Sequence, residues 1–286
     1  MKRITALPLM IMFLLAGCYP SRTGNSSKSS FNQNKVIAHR GAWKNTGTPQ
    51  NSMASLEHAF RLGCEGTEFD IRMTADDILV LNHDPHYQGL EVEKSTYEQL
   101  KAIPLKNGEA IPLLEDILRR GMQQQTTKLV AEIKPSPAGK ERSLLMANKV
   151  VDLVQQLKAD PWMVYISFDY DILLEIKKRI PDAPVQYLNG NVDPLKLKAD
   201  GMDADYNQSV FQKDTTWIRR AHAAGIIVNA WTVNDSTVME TFLRQGMDLI
   251  TTDEPEMLLR RVKALNARQS ENNSVLIQPV INPLAQ

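Results

Sequence analysis

The sequence predicts an α/β protein, a closed (β/α)8 barrel, on three observations. Short β-rich runs alternate with amphipathic helical runs, eight times over about 230 residues, a rhythm typical of repeated βα units. Several helical runs follow a capping residue: Asn51, Asp169, Asp214 and Asp235 each stand just before one. Polar residues recur at i and i+2 inside three strand candidates, at Glu68 and Asp70, Glu132 and Lys134, and Asn229 and Trp231, where a buried parallel strand would otherwise be near-continuous Val, Ile and Leu. A doubly wound open sheet is the other architecture that such alternation permits.

The strand candidates, in order, are Val36–Ala38, Thr67–Met73, Leu129–Lys134, Met163–Phe168, Val185–Leu188, Ala204–Tyr206, Ile226–Val233 and Leu249–Thr252. Helical periodicity fills the intervals at Ser52–Leu62, Arg142–Leu157, Tyr170–Arg179, Thr215–Ala224 and Thr237–Gln245. Ile78–Leu81 is a further extended run, read as a hairpin arm near the active face. The domain is expected over residues 35–266, followed by an irregular tail, 267–286, that lacks helical periodicity and carries Pro279 and Pro283.

The N-terminus reads as an export signal. Lys2 and Arg3 precede an apolar stretch, Leu7–Ala16, that is too short to span a bilayer comfortably, and Leu15-Ala16-Gly17-Cys18 resembles a lipobox. Residues 1–17 are therefore expected to be a signal peptide, Cys18 to carry lipid, and residues 18–34, rich in Ser and Asn, to form a flexible tether. The implied location is the bacterial cell envelope, outer membrane facing periplasm, since Tyr19 rather than Asp follows Cys18. With Cys18 lipidated, Cys64 has no disulfide partner. Lys+Arg and Asp+Glu both total 33, and loss of Lys2 and Arg3 leaves 31 − 33 = −2. No basic excess points to nucleic acid, and nothing points to a protein partner.

The chemistry lies in polar residues at strand positions. Side chains alternate across a strand, so Glu68 and Asp70 share a face, as do Glu132 and Lys134, and Asn229 and Trp231. Phe69, Ile71 and Ile133 suit the helix-covered side. Glu68, Asp70, Glu132 and Lys134 then point inward near the strand ends, where barrel sites sit. Three crowded carboxylates would raise one another's pKa. A hard divalent cation, Ca2+ or Mg2+, relieves that crowding and prefers such oxygen ligands. His39 and His83 each follow an apolar run and offer an acid–base pair for a phosphate. His39-Arg40-Gly41 adds a fixed positive fork and a turn. His58 and His222 lie within helical runs, and His86 lacks the strand-end placement of His83.

In order along the chain stand His39-Arg40-Gly41, Pro49-Gln50-Asn51 with Ala59-Phe60, Glu68-Phe69-Asp70, Thr74-Ala75-Asp76-Asp77, His83-Asp84, Glu132-Ile133-Lys134, Trp231-Thr232-Val233-Asn234 and Thr252-Asp253-Glu254-Pro255. This ordered set resembles the glycerophosphodiester phosphodiesterase family over residues 36–255. The resemblance implies a TIM barrel with a small insertion after the second strand, here about Ile78–Pro112. It also implies metal ligation by Glu68, Asp70 and Glu132, acid–base catalysis by His39 and His83, phosphate binding by Arg40 and Lys134, and a pocket wall at Trp231. The expected activity is metal-dependent hydrolysis of glycerophosphodiesters to an alcohol and glycerol phosphate. Alternatives are phospholipase D-like action on lysophospholipids or sphingolipids, and a catalytically weakened lipoprotein that binds phospho-headgroups. One position departs from the family pattern: Gln50 stands where the pattern has Glu, which keeps the reach but not the charge. If that position supports the metal, affinity or metal preference changes.

Overall fold

In the computed structural model, which describes residues 31–276, eight parallel strands close into a ring. They are β1 (Val36–Ala38), β2 (Gly66–Met73), β6 (Lys128–Ile133), β7 (Met163–Ser167), β8 (Val185–Tyr187), β9 (Asp203–Asn207), β10 (Val228–Trp231) and β11 (Leu249–Thr252). Pairing of β1 with both β11 and β2 closes the barrel and excludes the open sheet. Between β2 and β6 lie β3 (Leu79–Leu81), β4 (His86–Tyr87) and β5 (Leu90–Glu91). The helices are α1 (Met53–Leu62), α2 (Tyr97–Lys101), α3 (Leu114–Gly121), α4 (Lys140–Leu157), α5 (Tyr170–Arg179), α6 (Pro194–Ala199), α7 (Gln208–Lys213), α8 (Trp217–Ala224), α9 (Ser236–Arg244) and α10 (Pro255–Leu276).

Strand alternation builds two cores. Outward residues Phe69, Ile71, Ala131 and Ile133 pack with helix residues such as Leu56, Val150, Ile176 and Phe242 into the main core. Each large apolar side chain buried there contributes roughly 1.5–3 kcal/mol. Inward residues Ile37, Val130, Ile166 and Leu188 plug the barrel below the site, with Trp231 and Leu249 packed against them. The inward floor is apolar and the inward mouth polar.

The insertion forms as expected. β3 runs antiparallel to β2, pairing Met73 with Leu79. β4 and β5 make a hairpin whose turn residues, Gln88 and Gly89, both take positive φ, as a tight two-residue turn requires. Val80, Tyr87, Val92, Leu100 and Ile111 give this segment its own small core.

Four expectations are corrected. α1 is capped by Ser52, whose hydroxyl accepts from Ser55 N; Asn51 serves the site instead. The N-cap of α8 is Thr216, and Asp214 acts two residues earlier by accepting from the Thr216 amide. Residues 31–34 are bound to the barrel and do not behave as tether: Asn32 and Asn34 both donate to Gly63 O, at 2.8 and 2.6 Å. The segment expected to be irregular from 267 continues α10 as far as Leu276. Asp169 and Asp235 cap α5 and α9 as read from the sequence. The signal segment, Cys18 and residues 277–286 lie outside the described residues.

Candidate active site

The site occupies the C-terminal ends of the barrel strands, and β2 supplies its base. Glu68 and Asp70 point inward there, and β6 lies beside β2 in a register that sets Asp70 opposite Glu132. Oxygens of Glu68, Asp70 and Glu132 gather within 4.8 Å of one another, and all three residues are buried. Lys134 enters from the end of β6, with Nζ 2.9 Å from Asp70 Oδ1 and 2.7 Å from Glu132 Oε1. Arg40 N donates to Glu68 Oε2 at 2.8 Å, and Arg40 Nε lies 3.4 Å from Asp70 Oδ2.

The three carboxyls do not titrate alike. Burial, then the charges of Asp70 and Glu132, push Glu68 well above the usual carboxylate range. Burial and Asp70 push Glu132 up to about 7. Burial also opposes ionisation of Asp70, but the charges of Lys134 and Arg40 outweigh it and leave Asp70 at about 2. The expectation of mutual raising therefore holds for two of the three and fails for Asp70, because both cations favour it. Burial opposes the charge on Lys134, and Asp70 and Glu132 more than restore it.

His39 follows β1 and faces Asp253 at the end of β11, with Nδ1 2.8 Å from Asp253 Oδ1. Asn234 holds the other Asp253 oxygen at 2.7 Å. Burial raises the Asp253 carboxyl, and His39 overcomes that effect and leaves it below its ordinary value. His83 closes the opposite side from the insertion. Its Nδ1 lies 2.8 Å from Asp84 Oδ1, and its carbonyl accepts from Arg72 Nε and Nη2 at 2.9 and 2.7 Å. Burial, the largest influence, lowers the His83 pKa. In each histidine Nδ1 is engaged by a carboxylate, which leaves Nε2 as the ring atom free for substrate.

A cavity of about 110 Å³ brings His39, Arg40, Glu68, His83, Glu132, Lys134 and Trp231 to one surface. Asp70 sits beneath and does not line it. Trp231 Nε1 donates to Asp205 O at 2.9 Å, and its ring meets Phe168 edge-on at 5.5 Å, so the indole is fixed as a wall. Gln50 meets the same guanidinium that lies against Asp70. It is exposed and accepts from Arg40 Nη1 at 2.8 Å.

Several site residues were not singled out from the sequence. Asn51 clamps Asp70: Nδ2 donates to Asp70 Oδ2 at 2.8 Å, and Oδ1 accepts from Asp70 N at 3.0 Å. Asp253 orients His39. Asp205 lines the cavity as a buried carboxyl that burial, then Glu132, raises well above its ordinary pKa. The signal for Asp205 was present: it is an acidic residue at the centre of a short strand, flanked directly by the buried Ala204 and Tyr206.

The arrangement can bind a phosphoryl group between cations, hold a divalent cation on carboxylate oxygens, and move protons at two imidazoles. The model of the glycerophosphoryl diester phosphodiesterase family matches residues 39–257. A glycerophosphodiester phosphodiesterase of Parabacteroides distasonis has a solved structure that is similar, with TM-score 0.79 and 38% identity, covering 82% of this chain and 99% of that one. A solved structure of a protein from Silicibacter pomeroyi superposes with TM-score 0.72 and 25% identity, covering 81% of this chain and 94% of that one. A glycerophosphodiester phosphodiesterase of Caldanaerobacter subterraneus is 27% identical over 247 residues, 80% of this chain and 97% of its own.

Proposed function

The chain belongs to the glycerophosphoryl diester phosphodiesterase family, and from that membership we propose that it hydrolyses glycerophosphodiesters to an alcohol and glycerol phosphate, with a divalent metal and with His39 and His83 moving the protons. It is a phosphoric diester hydrolase. The observation that carries the reading is the single cavity shared by both histidines, Arg40, Lys134 and two of the clustered carboxylates.

The residues fit a hard cation. Glu68 Oε1 is buried without a hydrogen-bond partner, and the donors of Glu68, Asp70 and Glu132 are all oxygens. Ca2+ or Mg2+ held there would neutralise the carboxylates and stabilise charge building on the phosphate. Arg40 and Lys134 grip nonbridging phosphate oxygens, and Trp231 walls the substrate. One histidine takes the proton of the attacking hydroxyl, either the neighbouring glycerol hydroxyl or water, as the new P–O bond forms. The other gives a proton to the departing alcohol as the old P–O bond breaks. If the glycerol hydroxyl attacks, a cyclic phosphate results, and water opens it with the histidine roles reversed. A binding-only role is less well supported, since both histidines and all three carboxylates stand assembled, and Gln50 still holds Arg40 by a hydrogen bond.

The test is turnover of glycerophosphoglycerol with Ca2+ or Mg2+ and with chelator. Activity should vanish on chelation and in the double variant Glu68→Gln/Asp70→Asn. His39→Ala and His83→Ala should each lower kcat by about two to four orders of magnitude. Near-normal turnover in both histidine variants would overturn the mechanism.

A further inference from the structure

A second, larger cavity of about 600 Å³ lies beside the catalytic one, between the loop after β1 and the insertion. Trp43 and the largely buried Tyr87 are its aromatic lining residues. It adjoins the catalytic cavity through one hydrogen bond, since Arg40 lines the smaller space and donates to Gln50, which lines the larger. Asn82, another lining residue, immediately precedes His83. A diester held at Arg40 with its glycerol half in the smaller cavity therefore has its other alcohol directed at this space.

We propose that this cavity is the subsite for the departing alcohol, and that it selects a hydroxyl-rich head group without positive charge over a quaternary ammonium one. The proposal rests on the diester-hydrolase reading above. Its basis is the charge of the walls. No Asp or Glu lines the cavity, while Lys44 and Lys106 do. Lys44 is paired with Glu254, and Lys106 has no ion pair among the described residues. Aromatic rings attract a trimethylammonium group, but a carboxylate-free lining with the unpaired Lys106 ammonium on it disfavours one. Gln50 contributes here too, because its neutral amide stands on the path between the two cavities where a carboxylate would attract a cation. Polyol hydroxyls find amide and hydroxyl partners on the same surface, in Gln50 and Thr48.

The experiment compares kcat/KM for glycerophosphoinositol and glycerophosphocholine in the wild-type chain and in Lys106→Glu, a change at an exposed residue outside the catalytic cavity. The wild type should favour the inositol ester by about fivefold to tenfold, the scale of one or two rim charges. Lys106→Glu should shrink that ratio by a similar factor, through KM, with kcat held. Equal kcat/KM for the two esters in the wild type, or a ratio that Lys106→Glu leaves unchanged, would overturn the subsite while leaving the hydrolase reading intact. Failure of the wild type to cleave either ester while it turns over glycerophosphoglycerol would overturn the subsite alone, and failure on all three would overturn both.

Discussion

The carboxylate cluster is where single residues set the behaviour of the protein. Glu132 titrates at about 7 in the metal-free fold against an ordinary 4.5, so the native state binds a proton that the unfolded chain has already released. Its contribution to stability is full below about 4.5 and is lost as pH rises through about 7. Glu68 acts in the same direction. Asp70, held at about 2 against 3.8, acts oppositely: its contribution is present above 3.8 and is lost as pH falls toward 2. Between about pH 5.5 and about pH 8 only the first effect operates among these three groups. The chelated protein should therefore melt at a lower temperature at the higher pH, and Ca2+ should raise the melting temperature more there than at the lower pH. Thermal unfolding with chelator and with Ca2+ at both pH values checks this. A metal-free melting temperature that rises with pH, or no response to Ca2+ or Mg2+ at either pH, would count against the ligand set. Alternation along β2 and β6 made these three carboxylates legible in the sequence. The clamp on Asp70 was not legible, because Asn51 looks like an ordinary helix cap until the chain folds back to place it on β2.

At the level of elements, the turn between β1 and α1 couples fold to site. Arg40 and Gly41 take φ of 54° and 80°, both in the left-handed region. That bend lets Arg40 N reach Glu68 Oε2 and Gly41 N reach Glu68 O at 3.1 Å. Ser55 of α1 lies against the bend, and its hydroxyl donates to Arg40 O at 3.1 Å. A Cβ on Gly41 would lie 2.6 Å from the Ser55 carbonyl carbon, a backbone atom that cannot swing aside. Gly41→Ala should thus cost about 2 kcal/mol or more, combining positive φ with overpacking. It should also lower turnover, because α1 and the Arg40 amide must separate. Unfolding in urea and kcat on glycerophosphoglycerol measure both effects; unchanged values in each would refute the coupling.

For the molecule as a whole, the remaining proposal is where the barrel works. Cys18 as a lipid anchor lies outside the described residues and rests on Lys2, Arg3, the apolar run and Leu15-Ala16-Gly17-Cys18. Cys18→Ser, expressed in a bacterial host, should move the protein out of the membrane fraction or leave its precursor uncut; unchanged processing and partition would refute lipidation. The barrel itself was legible because its strands and helices carry their periods locally: two along β2 and β6, and near 3.6 along α4, α5 and α9. Inward and outward faces followed from the same alternation, and so did the acidic base of the site and the strand-end histidines. Contacts across the ring were decided only by the tertiary structure. His39 and Asp253 are 214 residues apart in the chain and 2.8 Å apart in the fold, because β11 closes onto β1. Asp205 reads as one residue of a short strand, and it becomes a cavity wall only once β9 takes its place in the ring. The extent of the last helix and the attachment of Asn32 and Asn34 to Gly63 also escaped the local pattern, since tertiary contacts and helix propagation decided them. A sequence encodes periodicity and side-chain chemistry at each position, whereas the meeting of strand ends depends on closure and register, which no local run specifies.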